Sequence, residues 1–221
     1  MTTPLDQCLL YTFIDTAYLH GRDPAVVTKQ LCDGGSDLIQ LRAKNCAIDD
    51  VRRLAEIIAP IIRDAGAGLV INDHPQLALE LGAQFCHLGQ EDFSAFGHVR
   101  DVAPDSKSLK IGLSSHSPEQ AQRAIKSGAA YIAVGPVYST PTKPTATPAG
   151  LEYVRWAAQN VRIPWFAIGG INLHTLDAIL EAGARRICVV SAILNAPNIS
   201  EACQSFKEGL ISARQTERKP S

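Results

Sequence analysis

The chain has 221 residues, of which 46% are hydrophobic and 19% charged, with 21 Lys and Arg against 22 Asp and Glu. This length is sufficient to bury a large core. The net charge of −1 gives no support for nucleic acid or an anionic membrane as the main partner, since both attract basic surfaces. The apolar content excludes a disordered chain, no stretch reaches the roughly 18 apolar residues of a membrane span, and the first residues lack the pattern of a secretion signal. We therefore expect a soluble, cytoplasmic, globular protein.

Eight short apolar runs alternate with segments of helical periodicity, which predicts parallel strands joined by helices. The predicted strands are Leu10–Ile14, Leu38–Leu41, Gly68–Ile71, Phe85–Leu88, Lys110–Leu113, Tyr131–Val134, Trp165–Ile168 and Ile187–Val190. Asp23 and Ser117 each precede a proline, so we expect them to cap the starts of two helices. Gly82, Gly128 and Gly183 each precede an alanine and a strand, where glycine closes the preceding helix in the left-handed conformation.

Eight strand–helix units in about 200 residues fit a single α/β domain over residues 1–221, a (β/α)8 TIM barrel with parallel strands. A doubly wound open sheet is the alternative, but the Gly-rich dinucleotide turn that it favours does not follow the first strand. No break in composition marks a second domain, and we expect the polar tail from residue 210 to fray. The six cysteines are scattered without metal-site spacing, so neither a disulfide framework nor a zinc site is predicted.

In such a barrel, the chemistry gathers at the carboxyl ends of the strands. Side chains alternate along the second strand, so Gln40, Arg42 and Lys44 share one face, and Leu41 and Ala43 share the other. Two cations and an amide suit a phosphate or a diphosphate. A solvated strand end with ordinary surface charges is the alternative.

Acidic residues follow the third and fourth strands. Mg²⁺ takes one or two carboxylates and completes its shell with water and substrate phosphate oxygens, so Asp73 and Asp92 form a candidate metal-binding site. An Asx turn explains Asn72 and Asp73 equally well, and Glu91 is an alternative ligand. We expect His87 to be a partly buried, hydrogen-bonded histidine rather than a phosphate ligand.

Hydroxyl groups and a lysine follow the fifth and sixth strands. Ser114 can hydrogen-bond an anion, and His116 is either passive or an acid or base. The long loop after the sixth strand carries Thr140, Thr142 and Lys143, and its length permits a lid. A plain surface loop is the alternative.

The ends of the last two strands carry the most informative pair of signals. Many barrels bind a phosphate there with backbone N–H groups, aided by a short helix N-terminus. Gly169 and Gly170 let the backbone approach an anion, and Val190-Ser191 adds a hydroxyl at the matching position of the eighth strand. A tight turn without a ligand is the alternative.

Seven motifs occur in the order seen in thiamine-phosphate synthases, and the chain resembles that family from about Leu10 to Ile193. They are Gln-Leu-Arg-x-Lys, Ile-Asn-Asp, His-Leu-Gly-Gln-Glu-Asp, Ile-Gly-x-Ser-x-His-Ser, Gly-Pro-Val-Tyr-x-Thr-Pro-Thr-Lys, Ala-Ile-Gly-Gly-Ile and Val-Val-Ser-Ala-Ile. The resemblance implies a transferase of thiamine biosynthesis. It would couple 4-amino-2-methyl-5-hydroxymethylpyrimidine diphosphate with 4-methyl-5-(2-phosphooxyethyl)thiazole, or its carboxylated form, to give thiamine phosphate and pyrophosphate.

The resemblance also implies roles for individual residues. The pyrimidine diphosphate would be held by Gln40, Arg42, Lys44, Asn72, Ser114 and Lys143, of which Arg42, Lys44, Ser114 and Lys143 would be catalytic. The metal Mg²⁺ would be held by Asp73 and Asp92. The thiazole phosphate would be held by Thr140, Thr142, Gly170, Val190 and Ser191. The expected mechanism is dissociative, because the electron-rich pyrimidine stabilises a carbocation at its methylene, and it needs little general-base work.

Two other functions stay open at the level of the sequence. A thiazole tautomerase-like paralogue would use a histidine such as His116 for proton transfer, and a phosphate-ligand sensor would bind without catalysis. The complete set of Arg42, Lys44, Asp73, Asp92 and Lys143 favours the synthase. The partners expected are small phosphorylated molecules rather than nucleic acid or membrane. The sequence leaves open whether the chain forms a homo-oligomer and which thiazole phosphate it prefers.

Overall fold

The computed structural model describes residues 3–104 and 108–216, and its strands form a closed parallel barrel in sequence order. The strands are β1 (Leu10–Asp15), β2 (Leu38–Arg42), β3 (Gly68–Asn72), β4 (Phe85–Leu88), β5 (Lys110–Ser115), β6 (Tyr131–Val134), β7 (Trp165–Ile168) and β8 (Ile187–Cys188). The predicted (β/α)8 barrel is confirmed. The open doubly wound sheet is excluded because β1 pairs with β8, with Leu10 opposite Ile187 and Tyr11 opposite Cys188.

Helices connect successive strands and cover the barrel. They are α1 (Thr16–Leu19), α2 (Pro24–Asp33), α3 (Ile48–Asp64), α4 (Pro75–Glu80), α5 (Gln90–Phe93), α6 (Val99–Val102), α7 (Pro118–Lys126), α8 (Gly150–Asn160), α9 (Leu176–Glu181), α10 (Ser191–Leu194) and α11 (Ile199–Thr216). Helix α11 continues past residue 210, where the sequence suggested a frayed tail, and residues 217–221 lie outside the described part of the chain. Within the described residues, no helix has both the length and the hydropathy that crossing a bilayer requires.

Local signals in the sequence set the helix ends as predicted. The side chain of Asp23 accepts a hydrogen bond from the Ala25 amide at the start of α2, and that of Ser117 accepts one from the Gln120 amide at the start of α7. Gly82, Gly128 and Gly183 all have positive φ angles, of 63°, 87° and 98°. Each therefore reverses the chain after a helix and directs it into the next strand.

Aromatic side chains fill the interior of the barrel. Tyr11, Tyr131 and Phe166 are almost completely buried and meet edge to face, with ring centroids 5.4 to 6.0 Å apart. Gly112 makes room for this aromatic layer, because a Cβ atom there would lie 2.0 Å from Cζ of Tyr131. Since the barrel is filled, ligands have access only at its ends.

An acidic side chain fastens the amino-terminal end of the barrel. Oδ2 of Asp37 accepts hydrogen bonds from the amides of Leu9 (2.7 Å) and Leu10 (3.0 Å) and pairs with the ammonium of Lys207. It thereby ties the start of β1 to the segment before β2 and to α11. All six cysteines are free thiols.

Candidate active site

The carboxyl ends of the strands open into one pocket that contains every site residue predicted from the sequence. These residues are Gln40, Arg42, Lys44, Asn72, Asp73, Asp92, Ser114, Thr140, Thr142, Lys143, Gly170, Val190 and Ser191. Closure of the barrel brings them together from β2 through β8 although they span 152 positions in the chain. The arrangement is a common concave surface rather than separate features of solvated strand ends.

The face of β2 that enters the pocket is the one predicted by side-chain alternation. Gln40, Arg42 and Lys44 line the pocket, whereas Leu41 and Ala43 are buried on the other side of the strand. The alternating direction of side chains along a strand thus places two cations and an amide side by side.

Asp15 positions Arg42, a role that the sequence reasoning missed. Nη1 of Arg42 donates to Oδ2 of Asp15 at 2.7 Å, and the Asp15 side chain is only 1% exposed. The other carboxylate oxygen of Asp15 accepts from the Ala17 amide at 3.0 Å and caps α1. The available signal was an acidic residue that ends an apolar run at the carboxyl end of a strand, much as Asp73 follows the apolar run of β3.

Asp73 and Asp92 converge on one positive charge. Nζ of Lys44 lies 2.5 Å from Oδ2 of Asp73 and 3.9 Å from Oδ2 of Asp92. Nδ2 of Asn72 donates to Asp73 at 2.6 Å. Asp73 has a φ angle of 62°, and its amide donates to the carbonyl of His87 at 2.9 Å. The Asp73 carboxylate is therefore held at the junction of β3 and β4.

The structure also bears on two alternatives, namely Glu91 as the metal ligand and Asp73 as part of a simple Asx turn. Glu91 is exposed and does not line the pocket, so the structure does not support it as a ligand. Asp73 does line the pocket, which an isolated Asx turn would not require. Among the residues with described coordinates, no group of three or more His, Cys, Asp or Glu comes together as a potential metal site.

A chain of hydrogen bonds runs along the inner wall of the pocket from Gln40 to Ser114. Nε2 of Gln40 donates to the Tyr11 hydroxyl at 2.5 Å, and the hydroxyls of Tyr11 and Tyr131 are 3.1 Å apart. Nδ1 of His87 lies 3.2 Å from the Tyr131 hydroxyl, and its Nε2 lies 3.0 Å from Oγ of Ser114. The expectation of a hydrogen-bonded His87 is confirmed, and its side chain is buried more fully than expected.

Burial keeps the imidazole of His87 neutral. Burial and, to a lesser extent, the nearby Lys143 cation lower the pKa of His87 to about 3. The Asp92 carboxylate has a smaller, opposing effect. A neutral imidazole has one donor nitrogen and one acceptor nitrogen, which matches its two hydroxyl neighbours.

The loop between β6 and α8 closes one side of the pocket. The Thr142 hydroxyl lies 3.0 Å from the Tyr18 hydroxyl on α1, so the loop is anchored across the mouth. Partial burial lowers the pKa of Lys143, as do the nearby cations Arg42 and Lys44, while the carboxylates Asp73 and Asp92 oppose this effect. His116 also lines the pocket, and its Nδ1 faces the carbonyl oxygen of Gly135.

Gly170 allows the loop after β7 to pack against the loop after β6. Its φ angle is 65°, and a Cβ atom there would lie 2.6 Å from Cβ of Tyr138 and 2.7 Å from the carbonyl oxygen of Ser139. The Tyr138 amide donates to the carbonyl of Gly169 at 3.0 Å. Next to this turn, α10 begins at Ser191. The amides of Ile193 and Leu194 donate to the Val190 carbonyl, which leaves the N–H groups of Ser191 and Ala192 without a partner inside this short helix.

The charged side chains of the pocket balance one another. Arg42, Lys44 and Lys143 are positive, and Asp73 and Asp92 are negative. Asp15, which pairs with Arg42, adds a third carboxylate. A highly charged anion therefore meets cations that are already offset by carboxylates.

This fold and this pocket define a class, namely a (β/α)8 barrel enzyme that binds anionic ligands at the carboxyl end of its strands. Comparison with known proteins is more specific. The family model described as thiamine monophosphate synthase matches residues 10–193. The chain belongs to this family, whose members are transferases.

Individual relatives cover nearly the whole chain. It is 46% identical over 184 residues to the thiamine-phosphate synthase of Thermus thermophilus, covering 83% of this chain and 87% of the relative. It is 42% identical over 215 residues to that of Acidothermus cellulolyticus, covering 96% and 100%. Among solved structures, the thiamine phosphate pyrophosphorylase from Pyrococcus furiosus superposes with a TM-score of 0.84 at 28% identity, covering 95% of this chain and 98% of the other.

Proposed function

We propose that the chain joins 4-amino-2-methyl-5-hydroxymethylpyrimidine diphosphate to 4-methyl-5-(2-phosphooxyethyl)thiazole, or its carboxylated form, giving thiamine phosphate and pyrophosphate. The observation that carries this proposal is that two different anion-binding arrangements share one pocket. Cations and carboxylates from β2, β3 and β4 lie on one side, and the turn after β7 with the start of α10 lies on the other. Two phosphorylated substrates bound in this way would meet in the middle.

The first arrangement suits the pyrimidine diphosphate. Arg42, Lys44 and Lys143 would contact the diphosphate oxygens, since guanidinium and ammonium groups make strong charge-assisted hydrogen bonds to phosphate. Asn72 and Ser114 would add neutral hydrogen bonds, and Gln40 would contact the pyrimidine ring. Asp15 keeps the Arg42 guanidinium in place for this task.

The second arrangement suits the thiazole phosphate. Gly170 lines the pocket and would offer its backbone N–H to an anion, as would Ser191 and Ala192, the first two residues of α10. The hydroxyl groups of Ser191, Thr140 and Thr142 would complete the contacts, with Val190 beside them. The anchored loop between β6 and α8 positions both threonines at the pocket.

The proposed chemistry requires neutralisation and alignment rather than a strong base. The bond between the pyrimidine methylene carbon and the diphosphate oxygen breaks, and its electron pair leaves with pyrophosphate. The lone pair of the thiazole nitrogen then forms the new carbon–nitrogen bond, so no proton has to be removed. Arg42, Lys44, Lys143 and Ser114 would stabilise the negative charge that develops on the leaving group, and the two phosphate sites would align the reactants.

The residues present fit a magnesium ion as cofactor. Asp73 and Asp92 both approach the same ammonium group, so two hard oxygen ligands converge on one cation position, and Mg²⁺ needs only one or two carboxylates when substrate phosphates complete its shell. When bound, the ion would supply Lewis-acid neutralisation of the diphosphate. Because the protein's own cations are nearly balanced by its carboxylates, a bound Mg²⁺ would add positive charge that the diphosphate needs.

The test mixes both substrates with Mg²⁺ and measures pyrophosphate and thiamine phosphate together. Formation of both in equal amounts supports the proposal. Rearrangement of the thiazole without pyrophosphate release would indicate a tautomerase instead, and tight binding of both substrates without turnover would indicate a sensor. Either result would overturn the proposed function.

A further inference from the structure

The hydrogen-bond chain between Gln40 and Ser114 has a direction. It contains five side chains, four of which line the pocket, namely Gln40, Tyr11, His87 and Ser114. Tyr131 at its centre is fully buried and does not line the pocket. A tyrosine hydroxyl donates one hydrogen bond, and a neutral imidazole donates through one nitrogen only. Each link therefore fixes the direction of the next.

With Nε2 of Gln40 donating to Tyr11, the direction follows link by link. Tyr11 donates to Tyr131, and Tyr131 donates to Nδ1 of His87. The proton of His87 then resides on Nε2 and is donated to Oγ of Ser114. The Ser114 hydroxyl is left to donate into the pocket, and at the other end the carbonyl oxygen Oε1 of Gln40 is left to accept.

The reverse direction presents the opposite groups. Ser114 would donate to His87, each link would turn around, and Gln40 would have to present its NH₂ group to the pocket. An anion beside Ser114 accepts a hydrogen bond and excludes that arrangement. An exocyclic amine beside Gln40 donates a hydrogen bond and excludes it as well.

We propose that the buried chain Gln40–Tyr11–Tyr131–His87–Ser114 couples the two ends of the pyrimidine diphosphate, so that an anion at Ser114 sets the Gln40 amide to accept from an amino group and to reject an oxo group. Tyr131 is then a positioning residue for substrate specificity, although it touches no substrate. This inference rests on the proposed function, because it takes its substrate from there.

Tyr131→Phe interrupts the chain of hydrogen bonds at its centre and keeps the aromatic ring in the barrel interior. Tyr11 is then free to donate to Oε1 of Gln40, which lets the amide turn over. We expect the ratio of kcat/KM for the 4-aminopyrimidine diphosphate over its 4-oxo analogue to fall about tenfold or more, since selectivity for polar groups depends on fixed donors and acceptors. A general loss of stability would lower both rates and leave their ratio unchanged.

Tyr153→Phe is the matched control. The Tyr153 hydroxyl donates to Oγ of Ser115 at 2.8 Å, so this variant likewise loses a buried tyrosine hydroxyl and its hydrogen bond, but outside the hydrogen-bond chain. Neither residue lines the pocket. We expect the selectivity ratio of this variant to equal that of the unmodified chain.

A second measurement needs no turnover. Nitrogen NMR of His87 with inorganic pyrophosphate and Mg²⁺ should show protonated Nε2 and unprotonated Nδ1 in the unmodified chain, with this preference weakened in Tyr131→Phe. Protonated Nδ1 in the pyrophosphate complex, or an unchanged selectivity ratio in Tyr131→Phe, would overturn the coupling. If the unmodified protein instead released no pyrophosphate from the two substrates, the proposed function would fail. The His87 tautomer measurement would still decide whether the hydrogen bonds run in the stated direction.

Discussion

Replacing Lys143 by alanine tests the proposed stabilisation of the leaving group. Arg42, Lys44 and Lys143 face three carboxylates at the proposed diphosphate site, so removal of one ammonium leaves a surplus of negative charge there. Loss of a single group that stabilises developing charge typically costs about a hundredfold to a thousandfold in rate. We expect a decrease of that size in kcat, with a smaller effect on KM, because the charge grows as the carbon–oxygen bond breaks.

The assay is steady-state release of pyrophosphate with both substrates and Mg²⁺ at saturation. Lys126→Ala is the control, since Lys126 is an exposed lysine at the end of α7 and does not line the pocket. The control should keep normal turnover. Turnover of Lys143→Ala within about tenfold of the unmodified chain would refute the assignment of Lys143 to the leaving group.

Three further predictions concern pH, the thiazole side and stability. Because its surroundings lower the pKa of Lys143, its ammonium is lost at a lower pH than that of an ordinary lysine; kcat/KM should therefore fall on the alkaline side, and Lys143→Arg should move this fall to higher pH. Ser191→Ala, which removes only a hydroxyl at the start of α10, should raise KM for the thiazole phosphate more than for the pyrimidine diphosphate, and equal changes would contradict the division of the pocket. Asp37→Ala should lower the free energy of unfolding by about 3 to 5 kcal/mol in urea titrations, because it leaves Lys207 without its largely buried partner. Asp33→Ala, which breaks an exposed pair with Lys29, should cost less than about 1 kcal/mol, and similar losses in the two variants would refute the argument from burial.

The strands and the residues at their ends could be predicted from the sequence because these features depend on local pattern. Runs of four or five mostly apolar residues gave the strands, with ends within two residues of those observed. Alternation along β2 placed Gln40, Arg42 and Lys44 on one face, and the order of strands placed Asp73 and Asp92 on neighbouring elements. Each of these predictions uses residues close together in the chain or a general property of the barrel.

The roles of Asp15, Tyr11 and Tyr131 could not be predicted in the same way. Asp15 and Arg42 are 27 positions apart, and Tyr11 and Tyr131 are 120 positions apart. In the sequence, both tyrosines are ordinary members of apolar strands. Their hydroxyls meet only because the closed barrel directs side chains from β1 and β6 into the same interior.

The sequence by itself determined the fold, the family resemblance and the set of charged groups at the strand ends, since periodicity and residue type act over a few neighbouring positions. Only the tertiary structure decided which groups hold one another in place, such as Asp15 with Arg42 and His87 with Ser114. The physical reason is that hydrogen bonds and ion pairs depend on distances of about 3 Å. Such distances between remote residues are set by barrel closure and by the packing of the aromatic layer.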